Sequence, residues 1–165
     1  MLISRILVCA AAAMSMTAGP SLASDSQVER SSLTGLPTIS IVVEELPSVA
    51  QTNGLTVAML QADVERRVRQ GGISITPDAD AYLYVHVTIA DPGASLPIPY
   101  FVDVSLMQEV TLPRGIKTRT PLQSPTWSLS RLGLVSANGL RAAVTDRVEM
   151  FVDQFIAAFK AVNAK

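Results

Sequence analysis

The chain is poor in the residues that most often carry chemistry. Its 165 residues include one cysteine, one histidine and one tryptophan, and aromatics make up 5%. The lone cysteine, Cys9, excludes an intramolecular disulfide. Charge of one sign is also missing, with 13 Lys and Arg against 14 Asp and Glu. That balance lacks the basic excess of a nucleic-acid binder, and there is no Lys/Arg cluster for anionic lipid. There is no glycine-rich phosphate loop, no zinc helix motif and no nucleophile elbow. No catalytic residue, cofactor or metal site is therefore assigned, and the chain is read as a non-enzyme.

No apolar run reaches the roughly 20 residues of a spanning helix. The run Ile6 to Met14, extending weakly through Met16, follows the single charge of Arg5 and is broken by Gly19-Pro20. Ser21-Leu22-Ala23 then supplies small residues at the two positions a signal peptidase reads. This order predicts a cleavable export signal over residues 1–23, cut after Ala23. Cys9 lies inside the apolar run, behind the bulky Val8, which disfavours lipid attachment; it leaves with the signal. The working chain is expected to be periplasmic or secreted, without a stable membrane span. The mean hydropathy of +0.34 overstates its greasiness, because the signal contributes much of it.

Residues 24–35 are polar and aperiodic and read as a flexible leader, with a single domain over 36–165. Ile39, Ile41 and Val43 alternate with Ser40, Val42 and Glu44, the period of a half-buried strand. Pro47 ends it and Asn53-Gly54 marks a turn. Thr56 is placed to cap a helix whose stripe is Val57, Leu60, Val64 and Val68, closed by Gly71-Gly72. Ile73 and Ile75 begin a short strand stopped by Pro77. Tyr82 to Ile89 is the cleanest strand, with Leu83, Val85, Val87 and Ile89 on one face and Tyr82, Tyr84, His86 and Thr88 on the other.

After the Asp91-Pro92-Gly93 turn, a long strand runs from Tyr100 to Leu112. It turns Phe101, Asp103, Ser105, Met107 and Glu109 away from its apolar side. Pro113-Arg114-Gly115 turns the chain into a last strand, Arg119 to about Leu132. Pro121 and Pro125 within it predict an edge strand or a bulge. Asn138 or Ser136 caps a final helix striped by Leu140, Val144, Val148, Phe151, Phe155, Phe159 and Val162. At about 1.5–3 kcal/mol per fully buried large apolar side chain, this helix is the main packing element.

The order β-α-β-β-β-β-α predicts an α+β, two-layer sandwich. It would have a mainly antiparallel sheet of four to five strands with two helices on one face. Tyr82, Tyr84, His86, Phe101 and Met107 then project from the uncovered face. With Trp127 they form the candidate interaction face. The competing account is cross-strand pairing that merely stabilises the sheet.

Other candidates have plainer explanations. His86, between Val85 and Val87, is the histidine any hydrolase-type site would have to use; its setting beside Tyr84 is that of a sheet-surface histidine. Asp78 and Asp80 flank Ala79 after Pro77 and suit turn chemistry better than a cation, lacking further oxygen ligands. Arg66, Arg67 and Arg69 interleave with Asp63 and Glu65, as on a solvated helix face.

Several stretches carry a resemblance. Leu83-Tyr84-Val85-His86-Val87, Thr126-Trp127-Ser128, Val64 to Ile73 and Phe151 to Asn163 look like a family of small exported bacterial proteins of unassigned function. The resemblance covers the chain from about Leu33 onward. His86 stands where that family carries a polar residue, often asparagine. The order of elements is also similar to the lipopolysaccharide-assembly lipoprotein and to auxiliary lipoproteins of lipid-transporting ABC systems. Unlike them, this chain lacks a lipid-attachment cysteine at a cleavage site. The resemblance implies a non-catalytic binding or assembly-accessory protein of the bacterial envelope, with an envelope protein partner or self-association. A hydrolase using His86 and a carrier of a small apolar ligand are the alternatives.

Overall fold

The structure, a computed structural model, describes residues 25–90, 97–111 and 122–164. The expected signal with Cys9, the Asp91-Pro92-Gly93 and Pro113-Arg114-Gly115 turns, Leu112 and the segment Arg119–Pro121 lie outside the described residues.

The segment expected to be a flexible leader carries a helix. α1, Gln27–Ser31, opens on a capping box in which the Ser26 hydroxyl accepts from Glu29 N–H and the Glu29 carboxylate accepts from Ser26 N–H. So short a helix shows no hydrophobic period, which is why the sequence reads as loop. Leu33, just beyond it, is fully buried. The Asn163 side-chain amide donates to Leu33 C=O at 2.9 Å and accepts from Gly35 N–H at 2.8 Å, clasping this segment to the far end of the chain.

β1, Thr38–Val43, is followed by a short unexpected helix, α2, Ser48–Thr52. α3 spans Val57–Gln70, and the Thr56 hydroxyl accepts from Met59 N–H at 3.2 Å. Gly72, at φ +85°, is its left-handed exit. Ile73 N–H returns to Val68 C=O and Gly72 N–H to Arg69 C=O, a Schellman closure.

β2, Ser74–Ile75, pairs parallel with the start of β1, as a helical crossover requires. β3, Tyr82–Ile89, pairs parallel with β1 on its other side. β4, Ile98–Val110, and β5, Leu122–Val135, then add antiparallel ladders. The sheet order is β2-β1-β3-β4-β5. The expected α+β sandwich is present, but the sheet is mixed, with β1 parallel to both neighbours. The β5 edge position matches the reading of its prolines.

A 3-10 turn, Ala137–Gly139, leads into α4, Leu140–Asn163. Neither Ser136 nor Asn138 supplies the expected side-chain cap: Ser136 precedes the 3-10 turn without a cap bond, and Gly139 stands at the start of α4. α3 and α4 cover one face of the sheet. Leu60, Val64 and Val68 of α3 meet Val144, Val148, Phe151, Val152 and Phe155 of α4 over the inward residues of β1, β3, β4 and β5. Gly71 lets the helices close up, since a Cβ there would lie 2.7 Å from Ile156 Cγ2. No helix among the described residues is long and apolar enough to cross a membrane.

Candidate functional site

The alternation of the strands builds the face that α3 and α4 leave open. Register sets Tyr82 opposite Met107, Tyr84 opposite Ser105, His86 opposite Asp103 and Thr88 opposite Phe101. On the other side of β3, Ser40 lies beside Tyr82 and Val42 beside Tyr84. β5 adds Ser128, Ser130, Leu132 and Leu134. Tyr82, Tyr84, His86, Phe101 and Met107 therefore share one surface, each half-buried.

Trp127 does not belong to it. It is fully buried, and its ring packs 5.2 Å from that of Phe155 on α4. It alternates in phase with the buried Leu129 and pairs with the buried Leu106. A bulge then follows, since Met107 pairs with Pro125 and leaves Thr126 as an extra residue, so Pro125 faces outward although it is two residues from Trp127. Its indole N–H donates to Asp25 Oδ1 at 2.8 Å, so its one polar atom is satisfied.

Glu44 organises the β1 side of the open face. Its Oε2 accepts hydrogen bonds from the Tyr84 hydroxyl and from His86 Nδ1. His86 Nε2 and the Thr88 hydroxyl are hydrogen-bonded at 2.8 Å. The Tyr84 and His86 rings stack at 7° with centroids 6.3 Å apart. The two donors hold the Glu44 carboxyl below its ordinary range, Tyr84 contributing most. The same bond, with desolvation and the Glu44 charge, pushes the Tyr84 hydroxyl up to about 12. Glu44 is in phase with Ser40 and Val42, but nothing in the sequence says that β1 pairs with β3; only that pairing brings it to His86.

Across the β3–β4 ladder lies a depression of about 440 Å³, lined by Tyr82, Tyr84, Asp103, Ser105, Met107 and Pro125. Ser105 is the one buried polar residue among the described residues, 5% exposed, and its hydroxyl donates to Asp103 Oδ2 at 2.5 Å. At the β5 edge Leu132 and Leu134 are 66% and 67% exposed, with Phe101 directly opposite Leu132.

The remaining candidates lie elsewhere. Asp78 and Asp80 are exposed in the loop between β2 and β3. Among the described residues no three or more His, Cys, Asp or Glu side chains gather as a metal site. The arginine group divides: Arg66 pairs with Asp63 and Arg69 with Glu65 along α3, whereas half-buried Arg67 reaches α4 and bridges Glu149 and Asp153. It is a clamp between helices rather than a basic patch.

No family model and no curated protein matches the chain, so the resemblance to an exported-protein family gains no family-level match. Two solved structures are similar at low identity. One is a minor lipoprotein from Acinetobacter baumannii, 12% identical with a TM-score of 0.35, over 76% of this chain and 94% of that one. The other is a PelC dodecamer from Paraburkholderia phytofirmans, 13% identical with a TM-score of 0.39, over 78% and 88%. Both likenesses are distant and carry no functional argument.

Proposed function

We propose that the protein is an exported, non-catalytic binding or assembly-accessory protein of the bacterial envelope. It docks a protein partner through the open face of its sheet. The observation that carries this reading is the pair Leu132 and Leu134. Single exposed leucines are common on any surface. Two on one face of an edge strand, each about two-thirds exposed and adjoining Phe101, form a contiguous apolar patch. The same open face carries the half-buried aromatics of β3, which combine apolar area with polar tips as interface residues do. The core argues against an apolar-ligand carrier, because Trp127, Phe151, Phe155, Leu83, Leu106 and Leu129 fill the space between sheet and helices.

A hydrolase reading would rest on the Glu44–His86–Thr88 chain of hydrogen bonds. That chain lies on the open face of β3, which pairs with β4 through Ile89 and with β1 as far as Val85. Acyl transfer there would also need preorganised hydrogen-bond donors at the developing oxyanion. Replacing His86→Asn tests this directly: an unchanged fold and an unchanged cell phenotype would end the hydrolase reading.

In-envelope cross-linking of the native protein, followed by mass identification, tests the docking reading. A discrete partner, lost in Tyr84→Glu and in Leu132→Lys, is expected. Recovery of an uncomplexed monomer, or retention of every partner by both folded variants, would overturn it.

A further inference from the structure

We infer that the depression between β3 and β4 receives a cationic side chain, an arginine or lysine presented by the docking partner. This deepens the docking reading and rests on it. The walls are aromatic and set at a corner: the Tyr82 and Tyr84 rings lie 6.4 Å apart at 82°. Two perpendicular rings offer a cation more than one quadrupole to approach, a geometry that favours guanidinium and ammonium groups over neutral ones.

The depression also has a charge. Asp103 lines it, and the Ser105 hydroxyl bonded to Oδ2 holds the carboxylate in place. Tyr84 gives its hydroxyl to Glu44, which orients the ring. None of the six lining residues is basic. On the neighbouring open-face positions, Ser40, Val42, Ser128 and Ser130 are uncharged, and His86 is engaged by Glu44. A cation entering the depression meets the Asp103 carboxylate and no basic residue among those that line it. An apolar group would strip water from Asp103 without replacing its hydrogen bonds, and an anion would be repelled. Phe101, Leu132 and Leu134, further along the same open face, suit the apolar flank of the same partner.

The test is a titration of the isotope-labelled, processed protein followed by NMR. The probes are N-acetylarginine amide, Nα-acetyllysine amide, the neutral isostere N-acetylcitrulline amide, and choline. Arginine and lysine are expected to shift the Tyr82 and Tyr84 ring signals and the Ser105 amide saturably, with citrulline weaker by roughly fivefold or more. Asp103→Asn should weaken arginine binding by a similar factor, and Tyr82→Leu likewise, without lowering the melting temperature. Because the citrulline comparison needs no variant, a folding defect in Asp103→Asn leaves the test intact. Equal binding of citrulline and arginine, or no shift at millimolar excess, overturns the inference. So does saturation by choline alone, which would point to a quaternary ammonium ligand. If the native protein still cross-links a discrete partner in any of these cases, only the cation site has failed; recovery of the native protein as an uncomplexed monomer is failure of the docking reading itself.

Discussion

The indole N–H of Trp127 donates to the carboxylate of Asp25 at 2.8 Å, tying the edge strand β5 to the residue just ahead of the α1 cap. The same carboxylate accepts from Arg30 Nε at 2.8 Å, and Asp25 holds a φ of 81° to make both contacts. Beside this pair the Ser32 hydroxyl donates to Thr126 C=O at 3.3 Å, at the residue that forms the bulge. α1 is thereby a strap over the one irregular point of β5.

Removing the acceptor should loosen that strap. Asp25→Ala is expected to lower unfolding free energy by about 1–2 kcal/mol, the cost of leaving a buried indole donor unpaired. Urea denaturation followed by the emission of Trp127, the sole tryptophan, reads both the loss and the local change. An unchanged midpoint and spectrum would show that α1 contributes nothing to β5.

Acid should weaken the same contact. Burial alone would raise the Asp25 carboxyl, but hydrogen bonds from Arg30 and Trp127 outweigh it and hold the group below its ordinary 3.8. A carboxyl with a depressed folded pKa stabilises the fold above its unfolded value and loses that contribution as pH falls through the folded one. The Asp25 share should therefore be intact at neutral pH and disappear below pH 3.8. Comparing the urea midpoints of the native protein and Asp25→Asn across that window should show the two converging in acid.

Alkali should report on Glu44. The Tyr84 hydroxyl, pushed up to about 12, favours the protonated form in the folded state. Its contribution to stability is complete below pH 10 and is lost as pH rises through about 12. Ring-carbon NMR should show Tyr84 ionising late, and Glu44→Gln should move that titration down toward 10. A Tyr84 titration indifferent to Glu44→Gln would deny the bond.

The helix pair should resist even one added methyl. Gly71→Ala would place a Cβ 2.7 Å from Ile156 Cγ2, so overpacking should cost about 1–3 kcal/mol. The double change Gly71→Ala with Ile156→Val should recover part of the loss. Thermal unfolding of the two variants is the check, and equal stability of Gly71→Ala and the native chain would refute the close approach.

The apolar patch should be dispensable for folding. Leu132 and Leu134 are largely exposed, so Leu132→Ser with Leu134→Ser should change stability by no more than about 0.5 kcal/mol. A hydrophobic dye should bind the variant less than the native protein. A large loss of stability would mean that these leucines pack within the monomer.

By itself the sequence determined the regular elements and their faces. The period of two in Tyr82–Ile89 and the apolar stripe of Leu140–Val162 each bury one side wherever they are placed, so the helix-covered sheet and its open face were legible locally. The polar caps and exits, Thr56 and Gly71-Gly72, were legible for the same reason: their hydrogen bonds close within a few residues. Only the tertiary structure decided what depends on contacts between distant segments. Parallel pairing of β1 with β3 brought Glu44 to Tyr84 and His86. Cross-strand register gathered Tyr82, Asp103 and Ser105 around one depression. A single extra residue at Thr126 shifted the phase between Pro125 and Trp127, and Trp127 found its acceptor 102 residues away in Asp25. Alternation carries no record of which strand lies beside which, nor of where a bulge shifts its phase.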